Sequence, residues 1–161
     1  MNNDYILYYD SPVGLLKCKS DEQKLKEVQF VEEKKEPQSS QIPLILKETS
    51  KQLDEYFKGT RKQFHLNLHL QGTEFQEKVW NELTNIPFGE LASYKKVGEK
   101  IGNEKAMRAV GNANNKNKIV IIIPCHRVVG SNGKLVGYGG GMWRKEWLLQ
   151  HENTNVSSDR L

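Results

Sequence analysis

Two cysteines occur in the chain, Cys18 and Cys125, and only the second has neighbours suited to covalent chemistry. Cysteine attacks carbon as its thiolate, so a reactive one needs a group that lowers its pKa or takes its proton. His126 follows Cys125 directly, yet neighbours on a strand point to opposite faces and neighbours on a helix diverge by about 100°. A working pair therefore requires a bend in the backbone or a bridging water. Pro124 offers the bend, because it holds Ile123 extended while its own fixed φ suits the first position of a helical turn. Cys125 would then face free backbone N–H groups at the positive end of that turn, with the charge of Arg127 nearby, and both favour the thiolate. From these residues alone, a reactive thiol and an inert one that extends the apolar core stand equal.

The elements that must deliver Cys125 lie mostly upstream of it. Ile119-Val120-Ile121-Ile122-Ile123 is β-branched throughout and too short for a helix, which predicts a buried extended segment running into Pro124. Thr73 and Gln76 form a capping box for a helix whose buried stripe is Phe75, Val79, Trp80, Leu83 and Ile86, ending before Pro87. Ser93 caps a short helix carrying Val97 and Ile101, Gly102 ends it, and Asn103 caps another reaching about Ala113. This pair is a helix-turn-helix in outline. Downstream, Gly137 and Gly139-Gly140-Gly141 surround Tyr138, where backbone could approach a ligand closely or simply form a mobile loop. Met142 to His151 reads as a last helix with Trp143 and Trp147 on a core-facing side, and residues 153–161 as a frayed tail.

Residues 1–71 have another texture and read as a small α/β domain, separate from a mainly helical one over 72–152. Tyr5 to Tyr9, Gly14 to Lys19 and Leu25 to Val31 are β-prone runs suited to an antiparallel meander, with Cys18 on the core face beside Leu16. Ile42 to Phe57 is amphipathic with a helical period. Phe64, Leu66, Leu68 and Leu70 alternate with polar residues, predicting a closing strand from which His65 and His69 point outward, away from any metal role.

With 161 residues, 27% charged and 37% hydrophobic, the chain is of ordinary globular type, and two cysteines cannot build a disulfide framework. Its longest apolar run, Ile119 to Pro124, is far short of a membrane span, and Met1 to Asp10 lacks the pattern of a secretory signal, so the expected place is inside the cell. The net charge of +4 is unevenly spread: between Ser93 and Lys118 stand Lys95, Lys96, Lys100, Lys105, Arg108, Lys116 and Lys118 against only Glu99 and Glu104. That surplus coincides with the helix pair and favours nucleic acid over a merely solvated helical face.

The run Ile123-Pro124-Cys125-His126-Arg127-Val128-Val129-Gly130 resembles the active-site signature of the O6-alkylguanine-DNA alkyltransferases. Pro87-Phe88-Gly89-Glu90 with Ser93-Tyr94, Arg108-Ala109-Val110-Gly111, Asn117, Tyr138 with Gly140, and Lys145 to Leu149 with His151-Glu152 follow in that family's order and spacing. The match runs from about Phe75 to Glu152. Residues 1–70 match only in outline, through Ser11-Pro12 and Gly14, and the resemblance implies a ribonuclease H-like fold for them.

By this resemblance the protein would transfer an alkyl group from O6 of guanine, as some members also do from O4 of thymine, to Cys125, once per molecule and without a cofactor or metal. Glu152 would orient His126, which takes the Cys125 proton through a bridging water. Tyr94 would hydrogen-bond a guanine ring nitrogen, and Asn117 would tie the recognition elements to the active turn. The target base must be flipped out of the duplex, and Arg108 would fill its place in the stack. The second helix would enter the minor groove without reading sequence, with Ala106, Ala109, Gly111 and Ala113 allowing close approach and Lys95, Lys96 and Lys105 holding phosphates. Pro124, Val128, Tyr138, Gly139, Gly140 and Trp147 would form the pocket. The expected partner is double-stranded DNA, the expected state a monomer, and the expected compartment the cytoplasm, or the nucleus in a eukaryote. Two rivals follow from the same residues. One is a lesion binder of the alkyltransferase-like kind, which lacks the cysteine; the other is a cysteine hydrolase, which leaves the basic helix pair unexplained.

Overall fold

A computed structural model describes residues 4–156, and the chain divides into two compact units, Met1–Gln71 and Gly72–Leu161. In the first unit, β1 (Tyr5–Ser11), β2 (Gly14–Ser20) and β3 (Leu25–Val31) form an antiparallel meander in that order. Gly14 closes the first hairpin at φ 120°, where a side chain would be strained. Helix α1 (Leu44–Phe57) packs on the sheet, and Leu16, Cys18, Leu25, Val28, Leu46, Leu53 and Tyr56 are all buried between them. The polar segment after β3 covers the edge strand β1. Ser39 exchanges two hydrogen bonds with the Ile6 backbone, and the Tyr8 hydroxyl donates to the Glu36 carbonyl.

One expected strand here is not formed. Phe64 to Leu68 keeps its alternation of covered and exposed residues, but His69 is half-buried like its neighbours rather than pointing outward, and among the described residues the stretch pairs with the sheet at a single bridge between Leu68 and Leu25. The Gln52 side chain accounts for the rest by bonding both the N–H and the C=O of His65, drawing this stretch toward α1. No group of residues suited to holding a metal ion occurs among the described residues.

The second unit is built from α2 (Glu74–Leu83), α3 (Tyr94–Lys100), α4 (Met107–Asn115) and α5 (Met142–Val156), with a short parallel ladder between β4 (Ala92–Ser93) and β5 (Val128–Val129). The Thr73–Gln76 capping box is present on α2, and Ser93 caps α3 by accepting from the Lys96 N–H. Helix α4 differs from expectation. It starts four residues after Asn103, its N-cap is Ala106, and no side chain caps it, because residues 101–106 are spent on turns after Gly102.

Helix α5 also runs longer than its pattern suggests, so the frayed tail expected over 153–161 is wrong for 153–156; residues 157–161 lie outside the described residues. Its last turn is held by the Asn155 side chain donating to the His151 carbonyl, and by Val156 packing over Gly89. Gly89 has φ 82°, and a Cβ there would come within 2.9 Å of Val156, so two independent constraints require glycine.

Candidate active site

The four isoleucines of the Ile119–Ile123 run are buried and Val120 is half-buried, but the run is a tight turn and not an extended strand. Asn117 pinches its ends together. Its Nδ2 donates 2.8 Å to the Ile123 carbonyl while its Oδ1 accepts 2.9 Å from the Ile119 N–H. Ile121 pays for this with φ 73°, a left-handed conformation that a β-branched residue rarely adopts. The turn delivers the chain to Pro124, after which Cys125–Arg127 form a single 3-10 turn and Val128–Val129 join the ladder beside the start of α3. The bend expected at Pro124 is therefore present. Helix pair and nucleophile share one framework.

Cys125 is 4% exposed and His126 is completely buried. The His126 ring lies toward α5, where its Nε2 meets Glu152 Oε2 at 2.6 Å. Arg127 completes the array: its Nε donates to Glu152 Oε1 at 2.8 Å, one terminal nitrogen to Oε2 at 3.0 Å, and the other to the Ile86 carbonyl at 2.6 Å. Burial pushes the Glu152 carboxyl up, but His126 and Arg127 together outweigh it and hold the group well below the usual carboxylate range. Burial lowers His126 despite the adjacent carboxylate, so the ring rests neutral. With Nε2 donating to Glu152, His126 Nδ1 is left as an acceptor, and it has no hydrogen-bond partner among the described residues.

The influences expected to favour a thiolate do not prevail at rest. Burial pushes the Cys125 thiol up to about 11, and the counteracting influences, the Asn117 side chain, the Lys145 charge and the turn's own backbone, do not overcome it. A three-residue turn supplies little dipole, and the Arg127 guanidinium is committed to Glu152 and Ile86. The thiol is therefore protonated at neutral pH and must give its proton to a base as it reacts. Alkylation of the free protein by iodoacetamide is accordingly expected to rise steadily from pH 7 to 10 without a plateau at Cys125. Cys18, fully buried and pushed up to about 12, should stay unmodified; peptide mapping checks both.

Tyr94 opens α3, and its hydroxyl donates 3.0 Å to the Val136 carbonyl; burial raises its pKa, and a thiolate at Cys125 would raise it further. Tyr138 is buried, and burial pushes its phenol well up. Pro124 and Val128 are buried beside Cys125 in sequence, Gly139 is exposed and Gly140 is half-buried. The Trp147 ring stacks on His151 at 4.9 Å along α5. Trp143, expected in the core, is 55% exposed with Arg144 over its ring. Lys95, Lys96, Lys105, Arg108 and Ala109 are exposed on the helix pair, while Ala106 and Gly111 are half-buried. Ala113 is a correction, since it is 2% exposed and its carbonyl accepts from the Trp80 indole of α2, so it cannot meet a groove.

Sequence reasoning missed Lys145. It is fully buried on α5, and its Nζ donates to the carbonyls of Val128, Val136 and Gly137 at 2.6, 3.1 and 3.3 Å, clamping the strand after the nucleophile to the loop that also takes the Tyr94 hydroxyl. The available signal was its spacing, because Lys145, Leu148 and Glu152 fall on one helical face, the buried one. Lys145→Met leaves the buried Val128 carbonyl, and the part-buried carbonyls of Val136 and Gly137, without their donor. It should destabilise the protein by about 2–4 kcal/mol in urea unfolding.

A buried thiol, a neutral imidazole fixed by an ionised carboxylate, and a basic helix pair fastened to the same turn define a DNA-binding protein with a nucleophilic cysteine. The family models for the 6-O-methylguanine DNA methyltransferase match in two parts, the ribonuclease-like domain over residues 5–70 and the DNA-binding domain over 74–154. A methylated-DNA–protein-cysteine methyltransferase of Methanosarcina acetivorans is 47% identical over 93% of this chain and 99% of its own, and one of Mycobacterium leprae is 44% identical over 91% of each. The crystal structure of the Mycobacterium tuberculosis O6-methylguanine methyltransferase superposes with a TM-score of 0.85 at 41% identity, covering 94% of both chains. The same mycobacterial protein in complex with DNA gives 0.84 over 92% of both. The chain belongs to the 6-O-methylguanine DNA methyltransferase family.

Proposed function

We propose that this protein repairs O6-alkylguanine in duplex DNA by transferring the alkyl group irreversibly to Cys125, consuming itself in one turnover. The observation that carries this reading is the geometry around His126. The imidazole faces Glu152 through Nε2 and keeps a buried acceptor nitrogen for the proton of a thiol that burial holds protonated. A water bridging Cys125 and Nδ1 solves the problem that adjacent residues diverge. As the sulfur attacks the alkyl carbon, the thiol proton passes by that water to His126, the C–O6 bond breaks, and its electron pair stays with guanine. The thioether formed has no cellular thiol exchange to reverse it. Asn117 holds the turn, and Tyr94, on the wall of the same region, meets the leaving base when its hydroxyl turns from the Val136 carbonyl.

A base in a duplex is beyond reach of a thiol that is 4% exposed, so the nucleotide must leave the stack at a cost of a few kcal/mol. Arg108, exposed on α4, takes the vacated place. Ala109 with the half-covered Ala106 and Gly111 lets α4 approach the minor groove closely, and the lysines of α3 and the turn hold phosphates without reading sequence. Met107, 47% exposed on the same helix, narrows that approach. The first unit serves as a structural domain, and the protein acts as a monomer in the compartment that holds the DNA.

Incubation with a duplex carrying one O6-methylguanine should add one methyl group per protein molecule to the intact mass, on the Cys125 peptide, with no turnover beyond stoichiometry. Catalytic turnover without an adduct would mark a hydrolase instead, and binding without an adduct a lesion binder. Arg108→Ala should slow transfer from duplex by about tenfold or more while leaving transfer from the free base unchanged. Equal slowing on both substrates would remove Arg108 from the flipping role.

A further inference from the structure

Two buried side-chain atoms close to the nucleophile have no hydrogen-bond partner among the described residues, His126 Nδ1 and Asn114 Oδ1. Asn114 lies on α4 at 2% exposure, and its Nδ2 donates 3.3 Å to the carbonyl oxygen of Cys125, the peptide group that leads into His126. Both side chains are thus anchored at one peptide unit. A carbonyl can only accept, so the amide is oriented with Nδ2 toward it and Oδ1 left as an acceptor. His126, donating through Nε2 to Glu152, presents Nδ1 as an acceptor too. Two orphan acceptors on side chains that flank the Cys125–His126 peptide, together with the Cys125 thiol as a donor, match the needs of one water molecule, which has two hydrogens to give and a lone pair to receive the S–H. Three partners is the usual number for a buried water.

We infer that Asn114 is a positioning residue for the transfer reaction: its Oδ1 accepts the second hydrogen of the water that relays the Cys125 proton to His126. This rests on the relay proposed above. In the step, the thiol proton moves to the water as the water gives one proton to His126 Nδ1, sulfur bonds to the alkyl carbon, and the C–O6 electron pair stays with guanine. The hydrogen held by Asn114 does not transfer. Its bond fixes the direction in which the other one points, and because Asn114 belongs to α4, the helix that carries Arg108 also sets the proton path.

The test is a double-mutant cycle read as the rate of Cys125 methylation by O6-methylguanine supplied as the free base, which removes DNA contacts from the measurement. Asn114→Leu should slow methylation by about tenfold while its Kd for undamaged duplex stays within about twofold. His126→Gln should slow it by about a hundredfold. The double variant should be no slower than His126→Gln alone, because Asn114 has nothing to orient once the relay is gone. Multiplying effects would show that Asn114 supports the nucleophile by packing, and would overturn the inference. An unchanged rate in His126→Gln would overturn the relay itself, and the inference with it. If Asn114→Leu does not fold, Asn114→Ser takes its place in the same cycle.

Discussion

Cys125→Ala should abolish methyl transfer completely, with no adduct on any residue after prolonged incubation with O6-methylguanine duplex, while the affinity for DNA stays close to that of the unaltered protein. The side chain is small and only 4% exposed, so removing one sulfur atom leaves the basic surface of α3 and α4 untouched. Cys18 offers no second route, being fully buried with its thiol pushed up to about 12. Intact-mass measurement and fluorescence anisotropy on the same sample check the two halves of the expectation. An adduct in this variant would refute the assignment of the acceptor.

The largest effect on stability is expected from Glu152→Leu. Among the described residues Glu152 is the carboxylate bonded to the Arg127 side chain, and the leucine would leave a buried guanidinium without its counter-charge beside a buried imidazole. Breaking such an array costs about 3–5 kcal/mol, a large part of the roughly 5–15 kcal/mol that holds a domain folded. Urea unfolding should show the loss. The same groups set the acid limit of the native state. The folded-state value of Glu152 lies below its ordinary 4.5, so its contribution is full above that value and is lost as pH falls further. His126 is lowered from 6.5 by burial, so the unfolded chain gains a proton below 6.5 that the folded one resists. Both act in one direction, and stability should begin to fall below about pH 6.5 and fall faster below 4.5, whereas Glu152→Leu should lose the steeper part.

What could be read from the sequence, and what could not, divides along physical lines. The meander, α1, the Thr73 capping box and the Ser93 cap are local patterns, fixed by periodicity and by donors and acceptors three residues apart, and they stand where the spacing puts them. The bend at Pro124 followed from the restricted φ of proline. Long-range choices were not legible. Whether Phe64 to Leu70 joins a sheet depended on Gln52, and whether Ala113 faces outward depended on the indole of Trp80. The apolar run before Pro124 reads as a strand by composition; only the bonds of Asn117 across its ends show that it must fold back at Ile121. Ionisation was the hardest to foresee, because neighbours in sequence suggested a thiolate while burial, which no pattern displays, makes it a thiol.

The ladder between Ala92–Ser93 and Val128–Val129 carries one more implication. It fastens the beginning of the helices proposed to meet DNA to the residues just past the sulfur, so in that reading the distance between groove and nucleophile works as a fixed gauge. In the proposed reaction the travel then falls to the nucleotide, and pairs already weakened by damage travel most easily.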